Sequence, residues 1–353
     1  MSCFALVDAN NFYASCEQLF DPRLRQRPVV VLSNNDGCVV SRSAEARALG
    51  TPMGIAWHQY ADQARRLGIV ALSSNYPLYA DLSNRVVALL GALAPEMEVY
   101  SIDESFLDLT TLPVDRENHG QLIRQRIASG LGLAVCVGIG PSKTLAKLAN
   151  HCAKKQLAGH DGVCDYTALS PAAQRQLLQR IPVAEVWGIG RRLSGQLARL
   201  GITTAGQLRD ADPESLRQRF SVVMERTIRE LRGVSCLELE DVAPPRQQIL
   251  SSRSFGRPVF ELEDLEQAVV SYISLAAEKL RAQGSLAGAL GVSLRTSPFL
   301  EAERRYQASC TLPLPEASSD SRNLAEWGRR ILRRLYRNGY AYQKAGVLLC
   351  DLR

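Results

Sequence analysis

The chain has 353 residues, 46% hydrophobic and 22% charged, with a formal net charge of +6. This is the composition of an ordinary globular protein with room for two or three domains. It excludes fibrous and low-complexity classes, and no apolar run approaches the about 18 residues of a membrane helix.

The charge is uneven. Residues 246–353 hold 16 Lys+Arg against 11 Asp+Glu, while residues 1–245 hold 26 against 25. A basic last third is a plausible polyanion-binding surface, though a solvated basic face is as common. The N-terminus "MSCFALVDANNFY" lacks a basic n-region and carries an acid at position 8, so it does not read as a signal peptide. Nine scattered cysteines without a CxxC pair point to reduced cytosolic thiols rather than a disulfide framework or a zinc site. The four histidines show no metal-ligand spacing.

In chain order, "CFALVDAN" reads as a buried strand ending in Asp8, and "RPVVVLS" as a second strand. "SNNDGCVVSRS" is turn-rich, and "SAEARALG" is a short helix stopped by Gly50. Helical spacing runs from Leu78 to Leu93. After "YSIDESFLDL" come a helix near 120–130, the strand "LAVCVGIG" and a helix from Ser142 to Lys154. Residues 168–235 are helical. "LEDVAPPRQ", residues 239–247, reads as a linker. Then follow a strand (248–259), a helix (265–282), strands near 287–296 and 303–312, a helix (321–337) and a strand (341–352), a β-α-β-β-α-β module.

Three acids sit at strand ends. Asp8 follows "FALV"; an isolated strand-end Asp is also a common cap or turn residue. Asp103 and Glu104 separate "EVYSI" from "SFLDL", the layout of a hairpin with its acids at the bend. There both carboxylates can point one way, although an exposed hairpin tip would read the same. A cluster of the three would repel itself without a cation. Such hard oxygen ligands suit Mg²⁺ together with substrate phosphates, and two ions can activate a hydroxyl and stabilise a leaving pyrophosphate. This reading requires both acids of the pair to converge with Asp8.

Cations for a phosphate substrate are at hand. Ser41, Arg42 and Arg47 lie around the start of a short helix, where a hydroxyl and a guanidinium can engage a triphosphate. Lys143, Lys147 and Lys154 line another helix. A solvated helix face is the alternative in both places. "GIGPSKT" lacks the spacing of a phosphate-binding P-loop. "VWGIGRRLSGQLARLGI" carries the glycines of a helix-hairpin-helix, where Gly188 and Gly190 would let the backbone approach a nucleic-acid phosphate and Arg191 and Arg192 follow.

Taken together, "DANNFYASCE", "SNNDGCVVSRSAEARALG", "YSIDESFLDL", "GIGPSKTLAKLANHCAKK" and "SRSFG" resemble the Y-family (translesion) DNA polymerases, in the branch of UmuC and its plasmid-borne relatives. The resemblance runs in order over essentially the whole chain. It implies a multidomain α/β and α+β right hand: palm (1–25 and 75–166), fingers (26–74), helical thumb with the helix-hairpin-helix (167–238), linker (239–247) and C-terminal little finger (248–353). It implies error-prone translesion synthesis in the SOS response to DNA damage, by two-metal nucleotidyl transfer. Asp8, Asp103 and Glu104, with the main-chain carbonyl of Ala9, would bind two Mg²⁺ ions, Mn²⁺ being able to substitute.

Asn11, Phe12, Ser41, Arg47 and Lys154 would contact the dNTP. Tyr13 would be a steric gate against a ribose 2′-hydroxyl, although a core aromatic would fit the same position. Lys143, Gly188, Gly190, Arg191 and Arg253 would contact primer-template DNA. Implied partners are a UmuD′-like subunit, RecA and a sliding clamp, in a nucleoid-associated cytoplasmic setting. Ala44 departs from the aromatic that some members carry, and Lys155 stands where Pro or Gly is common. Members of this branch continue beyond "GVLLCDLR" with a tail bearing the clamp motif, which is not found in this chain, so weakened partner contacts are expected. A catalytically idle DNA-binding scaffold and a palm-fold nucleotidyl cyclase are the alternatives.

Overall fold

The computed structural model describes residues 2–240 and 245–353, and these two stretches form two compact units. In the first unit, β1 (Phe4–Ala9) is the middle strand of a five-stranded sheet with β5 (Glu96–Val99), β6 (Glu104–Asp108), β7 (Val135–Gly140) and β8 (Val163–Asp165), in the order β5-β6-β1-β7-β8. Both neighbours of β1 are antiparallel, and Asp8 lies opposite Glu104 and Cys136. Alternation along a strand sends successive side chains to opposite faces. Ala5, Val7 and Ala9 join the core with Tyr79 and Leu82 of α4 (Tyr76–Gly91) and Ile123 and Ile127 of α5 (Arg116–Leu131). Phe4 and Leu6 pack instead with Ala146 of α6 (Lys143–Lys155). By the same alternation Asp8 belongs to the α6 side.

Helix α6 lies close on the sheet because two facing positions are glycine. A Cβ on Gly138 would sit 2.0 Å from the Asn150 amide nitrogen, and one on Gly140 2.7 Å from that of Ala146. Asn150 then reaches in, its Nδ2 donating to the carbonyls of Leu6 (3.2 Å) and Cys136 (2.8 Å). The outer side of α6 packs on α7 (Pro171–Arg180), α8 (Arg191–Ala198), α9 (Ala205–Asp210), α10 (Pro213–Arg219) and α11 (Val222–Leu231) through Leu148, Cys152, Leu177, Leu197, Leu208 and Ile228.

A three-stranded sheet, β3-β2-β4, holds β2 (Val29–Leu32), β3 (Val39–Arg42) and β4 (Val70–Ser73), backed by Tyr60 and Ala64 of α3 (Trp57–Arg66). Strand β3 falls inside the stretch expected to be turns. Its four residues are half polar, so propensity alone does not mark it; pairing with β2 makes the strand.

The expected linker is partly docked. Leu239 packs on the cluster of Phe4, Leu6 and Phe106, and the Glu240 amide donates to Glu98 Oε2 at 2.8 Å. Residues 241–244 of that linker lie outside the described residues.

The second unit has the expected element order: β9 (Ile249–Val259), α12 (Leu262–Ala282), β10 (Ala287–Thr296), β11 (Gln307–Ser318), α13 (Ser321–Leu335) and β12 (Tyr342–Leu352). Its antiparallel sheet runs β11-β10-β12-β9, and its core joins the sheet to both helices. Strand β11 starts later than expected, residues 302–304 forming a short 3-10 turn, and extends to Ser318 because β10 offers it a partner as far as Ala287. Among the described residues no helix is long and apolar enough to cross a membrane.

Candidate active site

The hairpin bend spans Tyr100–Asp103 rather than the acid pair alone: the amides of Tyr100 and Ser101 both donate to the Glu104 carbonyl. Glu104 opens β6 and faces Asp8 across the ladder, while Asp103 ends the bend, its carbonyl accepting the Ala9 amide at 2.9 Å. The backbone therefore brings Asp8, Ala9, Asp103 and Glu104 to one end of the sheet.

The carboxylates themselves are turned to separate partners. Asp8 Oδ2 is 2.5 Å from Lys154 Nζ. Both Glu104 oxygens accept from Lys147 Nζ at 2.9 Å. Asp103 Oδ1 accepts from Ser101 Oγ at 2.8 Å. Among the described residues no three acidic, histidine or cysteine side chains are gathered to hold an ion. The expected convergence thus holds for the backbone and not for the carboxylate oxygens.

The reason lies in α6. Positions 143, 147 and 154 recur at helical spacing on one face. Lys143 pairs with Glu98 of β5, Lys147 with Glu104 of β6 and Lys154 with Asp8 of β1. Two ammonium groups therefore stand against the acids as counter-ions. Asp8 and Glu104 are hard oxygen donors that already face positive charge, and with Asp103 beside them their chemistry fits a divalent cation.

Burial pushes the Asp8 carboxyl up to about 6 against the pull of Lys154, with Glu104 and Asp103 adding to the rise. Because burial favours the neutral acid, an ion taking Asp8 must displace a proton at lower pH. Divalent-ion binding is therefore expected to weaken as the pH falls through about 6, measured by calorimetric titration of the chain.

Next to the acids is a polar cleft of about 710 Å³ lined by Asn11, Ala44, Arg47, Lys154, Arg124 and His160, among others. Asn11 is left-handed (φ 50°), a conformation Asn tolerates, and caps α1 (Phe12–Phe20). Its side-chain oxygen accepts from Arg47, and its carbonyl from Ser41 Oγ at 3.3 Å. Ser41 Oγ in turn accepts the Ala14 amide at 3.2 Å. Phe12 is buried. Tyr13 stacks on Tyr79, centroids 4.3 Å apart and planes 13° apart, with Tyr76 edge-on at 6.0 Å. Tyr76 and Tyr79 escaped the sequence reading; the signal was the pair of rings in "NYPLYA". Arg42, grouped with the phosphate cations in sequence, donates instead to the Thr51 carbonyl.

The expected DNA contacts divide. Gly188 is left-handed (φ 82°), Gly190 caps α8, and both are exposed, as are Arg191 and Arg192. Lys143 is a correction: it is only 3% exposed, and its ammonium is committed to Glu98 and to the Glu238 carbonyl at 2.6 Å, so it is not a surface cation. In the second unit Arg253 is exposed on edge strand β9, opposite Ala345 and thus on the sheet face that packs on the helices. The groove on the other face is lined by Ser252, Arg295 and Lys344, which the sequence reading did not single out.

The chain matches the impB/mucB/samB family over residues 7–151, that family's C-terminal domain over 246–353 and its HHH motif over 171–202. It is 48% identical to the protein UmuC of Salmonella typhimurium, covering 99% of this chain and 82% of that one. It is 43% identical to MucB of Escherichia coli over the same shares, and 31% identical to DNA polymerase IV of Moorella thermoacetica over 98% of this chain and 85% of that one. The fold is that of a Dbh–Dpo4–Dbh Y-family DNA polymerase chimera (TM-score 0.78, 21% identity, 99% of both chains) and of DinB from Sulfolobus solfataricus (TM-score 0.58, 21% identity, 99% of this chain and 98% of that one). Sequence and architecture agree, and the chain belongs to the impB/mucB/samB family, the UmuC branch of the Y-family DNA polymerases.

Proposed function

We propose that this chain is an error-prone DNA-directed DNA polymerase that extends primers past damaged template bases. The observation that carries the reading is that the backbone brings Asp8, Asp103 and Glu104 to one sheet end, beside a cleft lined by Asn11, Arg47 and Lys154. Primer 3′-oxygen attack on the α-phosphate of a dNTP forms the new P–O bond and releases pyrophosphate. Two Mg²⁺ ions, replaceable by Mn²⁺, would be held by the three acids and the Ala9 carbonyl and would supply activation of the hydroxyl and charge neutralisation.

The rest is positioning by the chain itself. Arg47 and Lys154 offer the triphosphate a guanidinium and an ammonium, and the α1 start at Asn11 and Phe12 offers main-chain amides, with Ser41 fixing that turn. Tyr13, braced on Tyr79, is assigned the sugar gate. Tyr13→Ala is expected to raise ribonucleotide incorporation by roughly 10²-fold or more, measured as the ratio of rNTP to dNTP insertion; an unchanged ratio removes the gate.

In this reading the five-stranded sheet is the palm (1–25, 75–166), the three-stranded sheet the fingers (26–74), the helices of 167–238 the thumb, and residues 248–353 the little finger. In the first unit Gly188, Gly190 and Arg191 would contact template-primer phosphates in a salt-dependent way; in the second, Arg295 and Lys344 on the open sheet face, and Arg253 on the other face of the edge strand, would do so separately. Family membership is the ground for expecting a UmuD′-like subunit, RecA and a sliding clamp as partners in the bacterial cytoplasm. The test is extension of a primer across an abasic template site with Mg²⁺. Bypass supports the proposal; extension on intact template that always stops before the lesion removes its translesion part.

A further inference from the structure

Lys147 has no part in the reaction as described, yet it is the most elaborately seated cation near the acids. Besides both oxygens of Glu104, its ammonium faces the rings of Tyr100 (4.4 Å), Trp187 (5.3 Å) and Phe106 (6.0 Å). The rings brace one another. Trp187 Nε1 donates to the Tyr100 hydroxyl at 3.1 Å, and the two rings meet edge to face at 88°. Phe106 is fully buried beneath them. Trp187 immediately precedes Gly188, so the helix-hairpin-helix turn supplies one wall of this cage. The pair itself is largely shielded from solvent, both side chains 19% exposed, and its two charges do not call for three rings about the ammonium. Three rings around an ammonium give it a second favourable seat.

We propose that Lys147 is a positioning residue for Glu104. It is a resident cation that holds the carboxylate in the ion-free protein and withdraws onto the Tyr100–Phe106–Trp187 cage when a divalent ion takes that carboxylate. This rests on the reading of Glu104 as a metal-binding acid. While Lys147 is paired with Glu104 its charge is neutralised and the rings add little. Once Glu104 is taken, the rings face an uncompensated cation and attract it more strongly. A difference of this kind between two states is what alters an affinity. The cage therefore eases ion entry, and part of it is carried by the turn assigned to DNA phosphates.

The test is the Mn²⁺ affinity of the full chain without DNA or nucleotide, read from the free-ion paramagnetic resonance signal. Trp187→Leu is expected to weaken binding by about 5-fold, and Trp187→Phe, which keeps a ring, by less than about 2-fold. Lys147→Met removes the competitor and tightens binding, and Trp187→Leu added to it should change nothing further. Thermal melts identify a variant that fails to fold; Tyr100→Leu then takes the place of Trp187→Leu with the same expectation in both backgrounds. A loss that persists in the Lys147→Met background, or is equal for Leu and Phe at position 187, overturns the inference alone. Absence of Mn²⁺ binding by the unmodified chain overturns the metal reading of the acids, and this inference with it.

Discussion

Asp103→Ala is expected to abolish primer extension, with a rate loss of at least about 10³-fold, while secondary structure and DNA binding stay close to those of the unmodified chain. The side chain is free to be lost. It is only partly buried, and its hydrogen bond goes to the neighbouring Ser101 hydroxyl rather than into the core. What Asp103 gives the fold is its carbonyl, which accepts the Ala9 amide and which alanine keeps. Rapid-quench extension with circular dichroism and a DNA-binding isotherm on the same variant separates the roles. Near-normal extension contradicts the assignment of this acid; joint loss of folding and extension contradicts the claim that its side chain is dispensable to the structure.

Lys143→Ala should act on stability. Its ammonium and the Glu98 carboxylate form a pair almost wholly inside the first unit, 4% and 10% exposed at the side chain. Glu98 also accepts the Glu240 amide, and Lys143 donates to the Glu238 carbonyl. The pair therefore ties the sheet and α6 to the segment leaving the helices. Removing the cation leaves a buried carboxylate without its counter-charge, a change that costs about 3–5 kcal/mol. For a unit of this size that lowers the thermal midpoint by roughly 6–20 °C. Lys143→Met combined with Glu98→Leu should recover most of the loss, since no charge is then stranded. A single variant that melts like the unmodified chain contradicts the structural role given to Lys143.

Much of this was legible in the sequence because local pattern and tertiary role coincide. "FALVDA" is apolar on both faces and makes a central strand, and the β-α-β-β-α-β order of the second unit emerged intact. Asp103 and Glu104 lie at a hairpin as expected, but its bend is wider than two residues, so Glu104 faces Asp8 by ladder register while Asp103 is tied to Ala9 by its carbonyl. Strand β3 was hidden because pairing, not propensity, makes it. The lysines show the harder limit. Spacing put 143, 147 and 154 on one face of α6, yet spacing says nothing of depth. Depth is set by Gly138 and Gly140, which draw the helix onto the sheet and convert Lys143 from an expected DNA contact into a buried counter-ion.

Single-nucleotide addition decides whether the three acids brought to one sheet end form a nucleotidyl-transfer site. The unmodified chain is given a primed template, one complementary dNTP and increasing Mg²⁺, with chelator as control. The expected product is a primer longer by one nucleotide, in amounts that rise with Mg²⁺ and vanish with chelator. DNA binding without any addition, at all Mg²⁺ and Mn²⁺ concentrations, would contradict it and leave the chain a DNA-binding scaffold of the same fold.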